Sequence, residues 1–556
     1  MKSTLEGRGS LQVIRDYHQR TKHLPDRYAR ALGYMDWDTQ PDPFRRFEGA
    51  ELLELEEVPT APSPSYEAIY RPGTIAPERL SKLSLAQLLY DSLALSAWKV
   101  FGSNRWALRV NPSSGNLHPT EGYVLIPAID GLSDTPRLCH YAPYPHALEV
   151  RADLTAEEWT ALTRGLPPAT FLLGLTSIHW RESWKYGERA YRYCQHDAGH
   201  AIGAISIAAA TLGWRTCLLG TDSDHALAVL LGVHHQSGIE AEHPDCLLAV
   251  STTGAHFDSA DAAHFQIDSG VIARLQGTPP PGEPNRLSDD HHHWPIIDVA
   301  SDAATMHAPP PASFWDSTRV DCELPSPQGG PSARQIIRQR RSAVAMDGRT
   351  GITRDLFYRM MLKVTPGRGR IPFDALPWRP RIHLGLFVHR VQGLDPGLYF
   401  LVRWPDETDA LKAALDAGFE WIKPPECPAS LSLYRLQRGD SRRVGAAVSC
   451  GQSIAGDGAF ALGMIAEFEE PLAEYGPWFY RHLHWEAGAV GQVLYLESEA
   501  AGIRATGIGC FFDDLMHDVL GLEDRRYQTI YHFTVGNAVD DGRLQTEPPY
   551  GHRSGR

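Results

Sequence analysis

An arginine-rich segment lies near the start of the second half of the chain. It reads IIRQRRSAV and places Arg338, Arg340 and Arg341 directly before Ser342. Guanidinium groups bind phosphate oxygens through planar, paired hydrogen bonds, and a neighbouring hydroxyl adds a further donor. The segment therefore indicates a phosphate-binding site. A solvated, charged helix face is the alternative interpretation of the same residues.

A turn that begins with proline lies in the first half, within the segment RVNPSSGNLHPTE (109–121). Pro112, Ser113, Ser114 and Asn116 are the residues of interest, because a turn of small hydrogen-bonding residues can present polar groups to a flat heteroaromatic ring. The alternative is a polar turn that only leads into the next strand.

A glycine loop, Gly507-Ile508-Gly509, follows a predicted strand in the second half. Glycines allow backbone N–H groups to come close to a ligand. The loop lacks the third glycine of a dinucleotide fingerprint, so it does not indicate a Rossmann site.

Several catalytic classes have no motif in the sequence. It contains no G-x-S-x-G, no H-E-x-x-H and no G-x-x-x-x-G-K-[ST], which argues against serine hydrolases, zinc proteases and P-loop enzymes. His196 and His200 stand four residues apart on a predicted helix, but no third ligand accompanies them. We therefore expect core or interface histidines and predict no metal site.

The composition is that of a folded globular protein, with 556 residues, 43% hydrophobic and 22% charged. The formal net charge is −14, so we expect neither nucleic acid nor an anionic membrane as a partner. The opening MKSTLEGRGS has no apolar core, and the longest apolar stretch (201–212) is too short to span a bilayer. The sequence therefore predicts a soluble cytoplasmic protein.

The two halves of the chain are related by an internal repeat. An offset of 289 pairs Tyr186 with Tyr475 and Gly199 with Gly488, without a gap, from 186 to 232. This register gives 12 identities in 47 positions, where chance gives about three. We therefore predict two copies of one domain, arranged as a pseudo-twofold pair.

The repeated unit predicts an α+β fold in both halves. Long apolar helices are expected at 196–212 and 485–501, each followed by a glycine, and strands at 123–126, 246–251, 383–388, 503–506 and 529–535. A last helix is expected to begin at Asp513 as its N-cap and to end at Gly521.

A proline-rich segment separates the two copies. Repeated prolines between 276 and 331 predict a surface linker through which neither helix nor sheet runs. We therefore divide the chain into an N-terminal arm (1–65), a first domain (66–275), the linker (276–331) and a second domain (332–556).

Together these segments resemble the FMN-dependent nitroreductase family, specifically its SagB/ThcOx-type dehydrogenase branch. The resemblance covers most of the chain apart from the linker. It rests on YHQRTKH (17–23), DWDTQPDPFRRFEGA (36–50), RVNPSSGNLHPTEGY (109–123), KYGERAYRY (185–193), IIRQRRS (336–342) and GIGCFFDD (507–514).

The resemblance implies an FMN site at the interface between two subunits of α+β fold. One subunit supplies an Arg-Arg-Ser element and the other a Pro-Ser-Ser-x-Asn element. Here the first matches only at Arg340, Arg341 and Ser342, and the second only at 112–116. We therefore expect an intramolecular pseudo-dimer, able to act as a monomer, with one composite FMN site and a degenerate mirror site.

The same resemblance assigns further residues to that site. Gly507, Ile508 and Gly509 are expected near the reactive edge of the flavin, and Arg543 is expected to contact its phosphate. Val344 stands where many family members carry a second basic residue, which lowers the expected phosphate affinity.

A lysine–tyrosine pair takes part in catalysis in the azoline-oxidising members of the family. Lys185 and Tyr186 resemble that pair, and Tyr475 repeats the tyrosine in the second half. A lysine beside a tyrosine can act as a general acid or base if burial lowers its pKa. Packing roles for the two repeat-related tyrosines are the alternative.

The expected function is that of an FMN-dependent oxidoreductase acting on a small organic or peptide substrate. NAD(P)H would be the reductant of a reductase, and molecular oxygen the oxidant of an azoline dehydrogenase. The alternative is a flavin-free scaffold or partner-binding subunit of a peptide-modification complex, which would purify without colour.

Overall fold

Helices and strands alternate along both halves of the chain. The computed structural model describes residues 9–71, 73–257, 262–263, 265–315, 324, 329–367 and 369–553. The helices are α1 (Ser10–Arg20), α2 (Lys82–Tyr90), α3 (Ala156–Leu162), α4 (His179–Tyr186), α5 (Ala190–Thr211), α6 (Asp224–Leu230), α7 (Ser269–Gln276), α8 (Pro295–Ala303), α9 (Ala333–Gln339), α10 (Arg354–Val364), α11 (Thr408–Ala414), α12 (Arg442–Val448), α13 (Ile454–Asp457), α14 (Glu469–Tyr475), α15 (Phe479–Ala500) and α16 (Asp513–Leu520). The strands are β1 (Phe47–Glu48), β2 (Leu52–Glu54), β3 (Leu95–Phe101), β4 (Asn104–Arg109), β5 (Thr120–Ile126), β6 (Arg137–Ala142), β7 (Ala147–Asp153), β8 (Thr170–Ile178), β9 (Arg215–Leu218), β10 (Glu242–Ser251), β11 (Glu283–Pro284), β12 (Ile352–Thr353), β13 (Ile382–Val388), β14 (Val391–Gln392), β15 (Gly397–Leu401), β16 (Leu433–Arg438), β17 (Phe460–Glu467), β18 (Arg504–Ile508), β19 (Tyr527–Gly536) and β20 (Gln545–Glu547).

Each half builds an antiparallel sheet, and the two sheets have the same strand order. The first runs β2-β7-β6-β5-β8-β10-β9 and the second β16-β15-β13-β17-β19-β18. Apart from the edge strand β2, the strands correspond one for one. Gly174 in β8 lies opposite Tyr123 in β5 and Leu247 in β10. At the repeat offset, Gly463 in β17 lies opposite Gly385 in β13 and His532 in β19. The predicted α+β fold class is confirmed.

Two long helices join the halves at the centre of the molecule. α5 and α15 each have 22 residues, nearly all buried, and each also packs on the sheet of its own half. They cross where Gly199 faces the backbone of Trp485 and Gly488 faces the backbone of His196, so a Cβ at either glycine would overlap main-chain atoms. The close crossing therefore depends on glycine at the two repeat-related positions.

The chain's C-terminal strand crosses to the first half. β20 pairs antiparallel with β3, which pairs with β4, so that strands from both halves of the chain form a three-stranded sheet. One cluster of buried apolar side chains also runs through both halves. Among the described residues, no helix has the length and the apolar composition needed to cross a bilayer.

The proline-rich segment is more regular than its composition predicts. Helix α8 forms within it and buries Ile296, Ile297 and Ala300 against neighbours that include α1, and β11 pairs with β1. The prediction that no helix or strand forms here is wrong, because a proline at the first turn, as at Pro295, starts a helix rather than breaking it. Residues 316–323 and 325–328 of the predicted linker lie outside the described residues.

The predicted helix ends are correct at three glycines and wrong at one acid. Gly213, Gly502 and Gly521 all adopt the left-handed backbone, with φ of +71°, +72° and +72°, as residues after a helix end do. Asp513 is not the N-cap of the last helix, because Phe512 holds that position. The Asp513 carboxylate is instead buried in ion pairs with arginines of the first half.

Candidate functional site

A cavity of about 460 Å³ is lined by residues of both halves. Most of the residues that the sequence predicts as cofactor-binding lie in its lining: Pro112, Ser113, Ser114 and Asn116 from the first half, and Arg340, Arg341, Ser342, Gly507, Ile508 and Gly509 from the second. The cavity is therefore composite, since neither half supplies its lining alone.

Two arginines give part of the cavity a positive charge. Arg340, directly after α9, is buried at 4% exposure, and its Nε and Nη1 find no hydrogen-bond partner among the described residues. Burial lowers the pKa of Arg340, and burial together with Arg340 and Arg504 lowers the pKa of Arg341 to about 10. Glu499 is the acid that faces them, and it pairs with Arg504 at 3.4 Å. A buried cation with free N–H groups, as Arg340 is, fits an anionic ligand.

The arginine segment is tied to the glycine loop through one tyrosine. The hydroxyl of Tyr495 lies 2.9 Å from Ser342 Oγ and accepts a hydrogen bond from the backbone N–H of Gly507 at 3.0 Å. The Arg340 guanidinium lies over the Tyr495 ring, 4.9 Å from its centroid. The two segments that are expected to bind a cofactor are therefore held as one unit.

The serine turn is fixed by hydrogen bonds behind it. Ser114 donates to Asp197 from both its backbone N and its Oγ, at 3.1 Å each, and Ser113 Oγ accepts from the backbone N of His118 at 2.8 Å. Gly115 and Asn116 adopt left-handed backbone, with φ of +59° and +62°. The polar groups of the turn are thus positioned before any ligand binds.

The predicted loop at 507–509 begins later than expected, because strand β18 continues to Ile508 and only Gly509 follows it. The glycines of this segment, still named the 507–509 loop below, are required by the tyrosines that pack on it. A Cβ at Gly507 would overlap the hydroxyl of Tyr531, and a Cβ at Gly509 would overlap the ring of Tyr193. Both tyrosines are buried and line the cavity. The loop therefore approaches an aromatic wall as closely as backbone atoms can.

Tyr186, at the end of α4, lines the cavity, and Lys185 lies beside it without lining the cavity. A Cβ on Gly115 would lie 2.6 Å from the Tyr186 hydroxyl and 3.1 Å from Lys185 Nζ, so both groups cover the serine turn. The Tyr186 ring packs on Tyr193 with centroids 4.4 Å apart. Burial raises the pKa of Tyr186 well above its usual value, which keeps its hydroxyl protonated as a hydrogen-bond donor at neutral pH.

Besides Lys185, two residues of the predicted site lie outside this lining, and both lie away from the serine turn. Arg543 is exposed and pairs with Asp541 at 2.7 Å, and its neighbour Leu544 lines the cavity instead. Tyr475 lies away from the cavity, and its hydroxyl donates to the Ser313 carbonyl at 3.4 Å. The structure therefore brings neither residue to the predicted site.

The repeat-related counterpart of the cavity is closed. Residues 218–221 correspond to 507–510 and line a space of about 30 Å³. Phe314 of the proline-rich segment fills this region, with ring centroids 5.6 Å from His482, 5.7 Å from Tyr475 and 5.8 Å from Trp378. Trp315 packs directly against Gly220. This position has no room for a ligand of the size that the cavity accepts.

Sequence reasoning missed two acids and the aromatic wall. Asp197 lines the cavity, and Glu182 lies behind it, within 3.4 Å of Ser113 Oγ. The available signal was Asp197 itself, an ionisable residue within an apolar helix. Tyr193, Tyr495 and Tyr531 carried no such signal, because tyrosines in helices and strands are ordinary core residues.

Comparisons with known proteins agree with this architecture. Residues 99–251 match the model of the Nitroreductase family, and no curated protein matches the chain. A structure described as a nitroreductase from Anabaena variabilis superimposes with a TM-score of 0.65 at 22% identity, over 95% of this chain and 99% of that chain. The chain therefore has a nitroreductase fold.

Two further structures superimpose with low scores. A structure described as a nitroreductase from Ralstonia eutropha has a TM-score of 0.28 at 16% identity, over 41% of this chain and 98% of that chain. The E. coli microcin synthetase McbBCD complex with truncated pro-MccB17 bound has a TM-score of 0.25 at 17% identity, over 44% of this chain and 92% of that chain. The fold assignment rests on the Anabaena structure alone.

Proposed function

We propose that the protein is an FMN-dependent oxidoreductase of the SagB/ThcOx type with one composite flavin site. The observation that carries the proposal is Arg340, a buried cation with two free N–H groups in the lining of a cavity that both halves build. An anionic group with a planar aromatic part matches such a cavity, because its other walls are tyrosine rings and a serine turn. FMN combines these two parts.

Different segments of the cavity lining would hold different parts of the cofactor. Arg340, Arg341 and Ser342 would hold the phosphate. Arg341 donates to the carbonyls of Arg338, Arg340 and Ser96, and these hydrogen bonds fix its guanidinium beside Arg340. The 112–116 turn and the 507–509 loop would hold the ring. Bound FMN would supply the transfer of hydride or electrons, and the protein would supply orientation and exclusion of water.

The lysine–tyrosine pair would act next to the ring. Tyr186 keeps its proton at neutral pH and can donate a hydrogen bond to a substrate atom, while Lys185 beside it supplies a positive charge. Tyr475, the third residue of the predicted catalytic set, lies against Phe314 in the closed counterpart. We therefore assign Tyr475 to packing and keep Lys185 and Tyr186 as the candidate catalytic pair.

One flavin per chain is the expected stoichiometry. The closed counterpart of about 30 Å³ supports it, because the open cavity is about 460 Å³. The domains at 66–275 and 332–556 would then act as an intramolecular pseudo-dimer, and the chain would need no second copy. The substrate would be a small organic molecule or a peptide, with NAD(P)H or molecular oxygen as the second redox partner.

The proposal is tested by purifying the protein without added flavin and recording its visible spectrum. We expect a yellow protein that releases FMN on denaturation. We also expect NADPH to reduce its flavin or molecular oxygen to reoxidise the reduced form. A protein that stays colourless after incubation with excess FMN would contradict the proposal and favour a flavin-free scaffold.

The Arg543→Ala variant separates the family resemblance from the geometry. The resemblance assigns Arg543 to the phosphate, but its side chain is exposed and paired with Asp541. We therefore expect the FMN affinity of this variant to stay within about twofold of the wild type, since exposed ion pairs contribute little. The affinity is measured by fluorescence titration of flavin-free protein with FMN. A tenfold or greater loss would return Arg543 to the site.

A further inference from the structure

Two buried carboxyl groups lie directly behind the serine turn of the cavity. Glu182 in α4 is 0% exposed and Asp197 in α5 is 1% exposed. Ser114 donates two hydrogen bonds to Asp197 at 3.1 Å, and Ser113 Oγ donates to Glu182 Oε1 at 3.4 Å. Asp197 and both serines line the cavity. Hydrogen bonds from the adjacent residues Ser113 and Ser114 therefore link both acids to the cavity lining.

This pair has no arginine to balance its charge. Oε2 of Glu182 has no hydrogen-bond partner, and Lys185 is the cation that acts on Glu182, with no ion pair formed to either acid in the described part of the chain. In the other half, the residue at the repeat offset from Asp197 is Glu486, which forms a buried ion pair with Arg403. The acid is therefore paired with an arginine at the repeat-related position and has no such partner beside the cavity.

Two buried carboxyl groups that bind adjacent serines and have no paired cation cannot both be ionised at neutral pH. Burial raises the pKa of Asp197 to about 7, against the hydrogen bonds from the serines that lower it. Burial and the charge of Asp197 raise the pKa of Glu182 well above its usual value. The other titratable groups that face the pair are Lys185 and Tyr186 of α4, Cys194 of α5 and Tyr531 of β19.

We propose that Glu182 and Asp197 hold a shared proton and exchange one proton with the substrate through the Ser114 hydroxyl. This inference rests on the proposed function. In substrate oxidation, a C–H bond breaks and its electron pair leaves as hydride for the flavin. The proton of the adjoining N–H or O–H bond passes to the pair, which goes from one proton to two. Reduction of a substrate runs in reverse and takes one proton from the pair.

The two acids have different roles in this scheme. Asp197 lines the cavity and exchanges the proton with the Ser114 hydroxyl, whereas Glu182 acts through Asp197 and is a positioning residue. A substrate reduction then needs the pair with two protons, of which it takes one. The rate of reduction is therefore high at low pH and falls as the pH rises through about 7, the pKa of Asp197. Tyr186 cannot produce this limb, because its pKa lies well above its usual value.

Infrared titration of the flavin-free protein tests the shared proton without turnover. We expect one carbonyl band of a buried carboxylic acid to be lost as the pH rises through about 7, while the remaining shared proton keeps a second band. Asp197→Asn should abolish the band that titrates near pH 7 and keep the band of Glu182, whose pKa burial raises. Glu182→Gln should abolish the acid band that persists above pH 7, because Glu182 is the carboxyl that keeps its proton there. Asp245→Asn is the matched control, because Asp245 is also buried with a raised pKa of about 6 but binds Ser177 and Gln195 outside the cavity. It should remove only its own band.

The kinetic test mixes dithionite-reduced, FMN-loaded protein with the nitroaromatic probe 4-nitrobenzoate. Asp197→Asn should slow flavin reoxidation by about 100-fold or more and abolish the pH limb, while Asp245→Asn should keep both. An unchanged rate and pH profile in Asp197→Asn, or a wild-type pair that titrates as ordinary exposed carboxyls, would overturn the inference. A protein that shows the band but binds no FMN would contradict the proposed function and leave the shared proton established.

Discussion

Replacing Arg340 and Arg341 together with alanine is expected to give a folded, colourless protein with at least about 100-fold weaker FMN affinity. Each guanidinium contributes hydrogen bonds to a charged group, worth about 1.5–3 kcal/mol. Arg340 has two free N–H groups for this purpose, and Arg341 is fixed beside it by three carbonyls. Removing them uncovers no buried acid, because the neighbouring Glu499 keeps its ion pair with Arg504.

Two controls separate the phosphate from the rest of the cofactor. Riboflavin, which lacks the phosphate, should bind the wild type and the double variant with equal affinity. Arg349→Ala removes an exposed arginine that follows the arginine-rich segment and should leave FMN binding unchanged. The affinities are measured by fluorescence titration of flavin-free protein. A double variant that binds FMN as the wild type does would place the phosphate elsewhere.

Replacing Asp513 with alanine is expected to lower the free energy of unfolding by about 3–5 kcal/mol. Its carboxylate is 0% exposed and pairs with Arg189 at 3.0 Å and Arg192 at 2.8 Å. The substitution leaves two buried guanidiniums without their counter-charge. Arg189 also lies 4.7 Å from the ring centroid of Phe511, so the chain after the 507–509 loop loosens with it. Chemical denaturation of the flavin-free protein measures the loss.

The neighbouring acid provides the control for this variant. Asp514 pairs with Lys22 at 2.7 Å but its side chain is 39% exposed, so Asp514→Ala should cost less than about 1 kcal/mol. Burial by itself raises the pKa of Asp513, but the two arginines outweigh it and hold that pKa well below its usual range. The stabilisation is therefore present above about pH 4 and is lost as the pH falls below it. Equal losses in the two variants would contradict this account.

The repeat is the part of the fold that sequence reasoning predicted best. One ungapped offset anticipated that two halves share a strand order, and it pairs the two glycines at which α5 and α15 cross. This works because a close helix crossing admits only glycine, so the constraint is visible in single residues. The turn at 112–116 and the segment at 340–342 were also predicted to meet, and they line one cavity.

The parts that were missed depend on contacts between distant segments. Phe314 lies in a proline-rich stretch, and nothing in that composition shows that its ring fills the counterpart of the cavity. Asp197 and Glu182 are 15 positions apart in sequence, and only the packing of α4 on α5 brings them together. Arg543 was assigned to the phosphate by the family resemblance, but its side chain pairs with Asp541, and the neighbouring Leu544 lines the cavity instead.

The number of FMN molecules bound per chain tests the composite site most directly. Flavin-free protein is dialysed to equilibrium against increasing FMN, and bound flavin is counted against chain concentration. The account predicts saturation at one FMN per chain, because the open cavity is about 460 Å³ and its counterpart about 30 Å³. Saturation at two per chain, or no binding at all, would contradict it.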